Sequence, residues 1–307
     1  MIRKVKYILI TIALTGTLLS CEPPSARNNS KLSVVTTTGL IADVVRNIGD
    51  TAVEVVALMG PGVDPHLYKA SHGDVRKISA ADILFYNGLH LEGKMGSVFE
   101  KTGSSKNVVA VTRDIPEYLL RKVGTGVLAH DPHIWFDVSL WQHVAATVKR
   151  ELQKADSVNA MYYERNYRKY QRSLDSLDRA VRAAILSIPE SQRVLITAHD
   201  AFGYFGDAYG IEVRGLQGIS TIAEFGLKDV TTLVDYIIKR RIKAIFVETS
   251  VSERSIRAII EGCSKKGCDV VIGGSLYSDA LGSPESGAGT YIGMFNANIN
   301  TIVTSLK

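Results

Sequence analysis

Short runs of apolar, β-branched residues alternate with amphipathic stretches along most of the chain. "KLSVVTTT" (31–38), "VEVVALM" (53–59), "ILFYNG" (83–88) and "NVVAVT" (107–112) are dense in Val, Ile and Thr and predict strands. Between the first two, "GLIADVVRNIGD" sets Ile41, Val44, Val45 and Ile48 at helical spacing. "ASHGDVRKISAAD" and a segment near residues 93–101 predict further helices. This β-α-β-α rhythm predicts a parallel sheet covered by helices. It breaks at residues 157–188, which run without Gly or Pro and stop just before Pro189. A helix of about 30 residues spans roughly 45 Å. Its apolar positions do not sustain a coiled-coil heptad, so it predicts a rigid strut. The rhythm then resumes in "RVLITA" (193–198), "IEVRGLQ" (211–217), "AIFVET" (244–249) and "DVVIGG" (269–274). The expected fold is therefore α/β: an N-terminal lobe over 31–156, a linking helix over 157–188 and a C-terminal lobe over 189–307. No internal sequence repeat relates the two lobes.

The first 30 residues follow different rules. "MIRKVKY" is basic, "ILITIALTGTLL" is an apolar run of 12 residues, and "LLSC" ends at Cys21. The run is too short for a comfortable membrane span and suits the core of a signal peptide. A small residue before Cys21, with Leu18 three positions upstream, resembles the lipobox of bacterial lipoproteins. This predicts a signal peptide over 1–20, a lipid anchor on Cys21 and a Pro/Ser/Asn-rich tether over 21–30. The formal net charge of +5 includes Arg3, Lys4 and Lys6, which leaves +2 from residue 21 onward. A nearly neutral chain offers no electrostatic footprint for nucleic acid. Cys263 and Cys268 stand in "CSKKGC", a poor zinc pattern that in an oxidising compartment predicts a local disulfide.

The candidate chemistry lies in the histidines. Asp-Pro-His occurs twice, in "DPHLY" at 64–68 and "DPHIW" at 131–135. His66 ends the loop after the second strand, and His199 follows "RVLITA" directly. Open parallel sheets bind ligands beyond the carboxyl ends of their strands, so residues of both lobes can converge across a cleft. His133 lies in a rigid loop before a helix, and Asp279 follows the strand "DVVIGG". Three imidazoles and one carboxylate make a closed site for a first-row divalent metal. His130 rivals His133, and Glu224 and Glu248 are further carboxylates of the second lobe. His72, His90 and His143 have the weaker placement of a helix start, a loop and a helix face.

Eight segments together carry a resemblance. "VVTTTGLIADVVRNIGD", "LMGPGVDPHLY", "ADILFYNGLHLE", "DPHIWFDV", "LITAHDAFGYF", "GLQGIST", "AIFVETSV" and "IGGSLYSDALG" resemble, in order, the TroA/ZnuA-like solute-binding proteins. The resemblance covers about residues 31–307. It implies two (β/α)4-type lobes with parallel sheets, joined by one long backbone helix, and a metal in the inter-lobe cleft. It places the four ligands on His66, His133, His199 and Asp279. It implies one divalent ion, Zn2+ or Mn2+, as cargo for an ABC importer with its permease and ATPase. It also implies a monomeric, membrane-anchored lipoprotein facing the periplasm or cell exterior, with no catalytic residues.

Metal choice is divided. The segment before His133 has a single other His, unlike the His-rich loop of zinc-dedicated relatives, whereas His199 stands where manganese-dedicated relatives carry Glu. Two other functions use the same ligands: a surface adhesin with a structural metal, and a periplasmic zinc hydrolase. H-E-x-x-H is absent and no general base is evident, which disfavours the hydrolase. With free imidazoles of pKa about 6.5, binding is expected to fail below pH about 6.

Overall fold

The computed structural model describes residues 31–103, 107–123 and 130–307. The expected signal peptide, the expected lipid anchor at Cys21 and the expected tether lie outside the described residues. Residues 31–307 form one compact unit.

Four strands build the first half: β1 (Leu32–Thr36), β2 (Val53–Ala57), β3 (Ile83–Tyr86) and β4 (Asn107–Ala110). They pair in parallel in the order β2-β1-β3-β4. Each is preceded or followed by the helices that the periodicity requires: α1 (Gly39–Gly49), α2 (His72–Ala80) and α3 (Gly96–Gly103). Thr38 caps α1 by accepting from the Ile41 amide, and Ser71 and Asp74 close α2 with a capping box. α4 (Val138–Ala155) starts on the Asp137 side chain and buries Leu140, Trp141, Val144, Val148 and Leu152.

The predicted strut is present, shifted by a turn. Asp156 accepts from the Asn159 amide and the Tyr163 hydroxyl, tightening Ser157–Asn159 into a 3-10 turn. α5 then runs from Ala160 to Leu186, about 40 Å. Its buried stripe, Tyr163, Tyr170, Leu174, Leu177, Val181 and Ile185, recurs every three, four or seven residues, as one helix face does. That face packs on α1 and α4 of the first half.

The second half holds β5 (Val194–His199), α6 (Gly203–Tyr209), β6 (Glu212–Gln217), α7 (Leu227–Arg240), β7 (Ala244–Glu248), α8 (Arg254–Lys265), β8 (Val271–Leu276) and α9 (Tyr291–Leu306). Here the parallel ladder is split: β5 pairs β6 and β7 pairs β8, with β5 lying against β7. The spatial order β6-β5-β7-β8 repeats that of the first half without any repeat in sequence. α9 returns to α5 and α1, so the largest hydrophobic cluster runs through both halves, from Val34 and Trp141 to Phe295 and Ile302. Among the described residues, no helix is long and apolar enough to cross a membrane.

The expected Cys263–Cys268 disulfide is not formed; both are free thiols. Cys263 is fully buried in the cluster with Val234 and Ile259, where it acts as a small apolar side chain. Burial and the neighbouring Cys268 push its thiol up to about 11, which suppresses the thiolate that exchange requires.

Candidate metal centre

His66 lies on the loop after β2, His199 is the last residue of β5, and Asp279 follows β8. His133 lies on the connection from β4 to α4. The second Asp-Pro-His turn explains its own sequence. Asp131 Oδ1 accepts from the His133 main-chain amide at 2.9 Å and meets its Nδ1 at 2.7 Å. One carboxylate thus fixes both backbone and ring, and Pro132 locks φ between them. In the first turn Asp64 Oδ1 accepts the His66 amide at 2.8 Å. His199 has a different holder. Glu248 Oε1 accepts its main-chain amide at 2.9 Å, and Oε2 lies 2.6 Å from its Nδ1.

These supports leave the Nε2 atoms of His133 and His199 facing inward. His66, His133, His199 and Asp279 are all buried and bring one ligand atom each within 4.8 Å of one another. His66 Nε2 stands 3.2 Å from His133 Nε2, which is 3.5 Å from Asp279 Oδ1, and His199 Nε2 is 3.4 Å from Asp279 Oδ2. A tetrahedral ion with bonds of about 2.05 Å has edges of roughly 3.3 Å, so three edges already suit one. His199 Nε2 and Asp279 Oδ1 are buried without a hydrogen-bond partner among the described residues. Their nearest polar neighbours are the charge partners of the site itself, and one shared cation satisfies both atoms.

Electrostatics match the geometry. Burial would lower the His133 imidazole, but Asp131 and Asp279 overcome it and hold the ring up at about 9. His199 is likewise raised well above its ordinary value, against its burial, by Glu248 and Asp279. The two imidazoles in turn keep Asp279 well below the usual carboxylate range despite its burial. His66 goes the other way: burial drives it down to about 3. Without an ion, then, three carboxylates (Asp131, Glu248, Asp279) face two imidazolium rings. A divalent ion displacing those two protons leaves the buried charge unchanged.

The other candidates stand apart. His130 bridges to Lys122 by its backbone and has Nε2 3.8 Å from Glu117. Glu224, His72 and His90 are exposed, and His143 is half-buried on α4. Glu248 sits behind His199, as its holder. Sequence reasoning missed three supports. Trp135 Nε1 donates to the Ser278 carbonyl at 2.8 Å, tying the His133 turn to the Asp279 loop. Ser250 Oγ reaches Asp279 Oδ2 at 3.3 Å. Thr221 Oγ1 donates to Asp64 Oδ2 at 2.6 Å. Only the Trp135 contact has a signal in sequence, its place in "DPHIW".

Two parallel-sheet halves enclosing a buried, preorganised set of three imidazoles and one carboxylate define a receptor for a divalent cation. Residues 34–305 match the family model "Zinc-uptake complex component A periplasmic" (ZnuA). The chain belongs to this ZnuA family. It is 49% identical over 302 residues to the manganese-binding lipoprotein MntA of Bacillus subtilis, covering 98% of this chain and 97% of that protein. It is 45% identical over 293 residues to the zinc-binding protein TroA of Treponema pallidum, covering 95% of this chain and 94% of that one. The solved structure of the periplasmic zinc-binding TroA from Treponema pallidum superposes with a TM-score of 0.87 at 46% identity, covering 90% of this chain and 99% of that one.

Proposed function

We propose that the chain is an extracytoplasmic solute-binding lipoprotein that captures one Mn2+ or Zn2+ ion and delivers it to an ABC-type importer. His66, His133, His199 and Asp279 hold the cargo, two from each lobe, with the lobes at 31–156 and 189–307. Residues 1–20 are a signal peptide, Cys21 carries the lipid and 21–30 tether the folded part to the membrane. The partner is the importer's permease, powered by its ATPase, and the chain acts as a monomer.

The observation that carries this reading is the convergence of four buried ligand atoms within 4.8 Å, with His133 and His199 each held by a carboxylate. Four protein ligands fill a tetrahedral site and leave no position for an activated water, so the chain is not an enzyme. The names of MntA and TroA, as manganese- and zinc-binding proteins, support the choice of cargo. The purified chain should bind one ion, and alanine at any of the four ligands should abolish or cripple binding. Deleting the chain should lower cellular manganese or zinc under starvation for that metal. Normal metal content in the deletion strain, or hydrolysis of ester or peptide substrates by the loaded protein, would overturn the reading.

A further inference from the structure

The two Asp-Pro-His turns have the same sequence but use their carboxylates differently. Asp131 gives one oxygen to both the amide and the ring of its own histidine. Asp64 gives Oδ1 to the His66 amide at 2.8 Å but turns Oδ2 away, to accept the hydroxyl of Thr221 at 2.6 Å. Thr221 belongs to the second half, in the segment between β6 and α7, 157 positions along the chain. Among the described residues, no carboxylate is paired with the His66 ring, whereas Asp131 and Glu248 hold the rings of His133 and His199.

The place of His66 therefore depends on its loop. One end of that loop is sewn to β1, through Leu58 N–H to Thr36 O and Met59 N–H to Thr37 O, both at 2.9 Å. Its tip reaches the other half at two points. Gly62, at φ +71°, lies where an added Cβ would stand 3.4 Å from the Thr249 carbonyl oxygen, and Asp64 meets Thr221. Leu67 and Ile222, the residues beside His66 and Thr221, are 46% and 52% exposed, so this junction forms an outer wall of the site.

We infer that Thr221 is a positioning residue for His66, acting through Asp64 across the cleft, and that this contact sets how long the ion stays bound. The inference rests on the ligand set proposed above. A hydroxyl donated to a carboxylate is a strong hydrogen bond that contributes only while the His66 loop stays against Thr221. Its loss leaves the other three ligands and their supports in place, so it should act on departure of the ion more than on arrival.

The test is stopped-flow release of Zn2+ from the full chain into excess chromogenic chelator, beside the association rate and the melting temperature of the metal-free protein. Thr221→Val should release Zn2+ about tenfold faster, with unchanged association and stoichiometry and a metal-free melting temperature lowered by a few degrees at most. Thr221→Ser, which restores the hydroxyl, should return release to within about twofold of the natural chain. Should the valine variant fail to fold, Thr221→Ala carries the same expectation. Release from Thr221→Val at the natural rate, with one ion still bound, would overturn the inference and leave the ligand set standing. Equal acceleration by valine and serine would also overturn it. A natural chain that binds no Zn2+ would overturn the ligand set and the inference together.

Discussion

Glu248 and Asp279 both lie at strand ends of the second half, and in the sequence only the resemblance, through "SLYSDALG", prefers Asp279. Glu248 is the last residue of β7, still within the sheet and turned behind His199, whereas Asp279 lies three residues beyond β8, where the chain is free to face the cleft. Their alanine variants should separate these roles. Asp279→Ala leaves a dication among neutral ligands and should weaken binding roughly thousandfold. Glu248→Ala removes a support and should cost about 10–100-fold while one ion per chain is retained. Equal losses measured by metal titration would contradict the assignment. The histidines were legible because strand ends and Asp-Pro turns are local signals. Their proton affinities were not, because those depend on carboxylates brought from 2 to 146 positions away. The ordinary imidazole value predicts loss of binding only below pH about 6. The structure moves the window upward. Against their burial, Asp131 and Asp279 hold His133 up at about 9, and Glu248 and Asp279 raise His199, which favours the protonated rings at neutral pH until an ion displaces the protons. Affinity should rise with pH through the neutral range, by up to roughly a hundredfold per unit while both rings still hold protons. Calorimetric titration in buffers of different ionisation enthalpy should find about two protons released per ion.

At the scale of elements, the strands and most helices follow from periodicity, and the discrepancies have local causes. α5 begins late because Asp156 and Asn159 satisfy each other in a tighter turn. The split between β5 and β7 leaves no trace in the hydrophobic pattern, since the two strands that flank it, VLITAH and AIFVE, are both apolar and buried along their length. Pattern is equally silent about Asp43, a buried acid on the apolar face of α1. Its Oδ2 accepts from the Tyr291 amide, the first residue of α9, at 3.2 Å, and from Asn47. Burial lifts its carboxyl to about 6, against the Tyr291 amide and Arg46. A raised carboxyl binds its proton more tightly folded than unfolded, so its effect on stability is absent below pH about 4 and grows as a penalty up to pH about 6. At 1.36 kcal/mol per pH unit, that penalty is roughly 3 kcal/mol. Asp43→Asn keeps an acceptor for Tyr291 and removes the charge. It should raise the melting temperature by several degrees at pH 7.5 and leave it unchanged near pH 4.

At the scale of the molecule, sequence divided the chain into two lobes and a strut, and packing joins them. α5 lies against α1 and α4 on one side of the chain and against α6 and α9 on the other, over one continuous apolar cluster. Hinge motion of the halves would have to shear this cluster, so release is expected by local rearrangement instead of wide opening. Small-angle scattering of metal-free and loaded protein should therefore superimpose, and a large change in radius of gyration would contradict this. The continuity was invisible in the sequence because it arises where α9 folds back across more than 200 positions onto α1.

That return of the last helix has a bearing on how the protein is made. Trp141 stacks on Tyr291, with ring centroids 5.0 Å apart, and Phe136 lies against Phe295. Without Tyr291–Leu306 these rings lose the aromatic cover that α9 gives them, so the core stays open until the last helix has folded back. A version ending at residue 290 should be digested rapidly by protease under conditions in which the full chain resists.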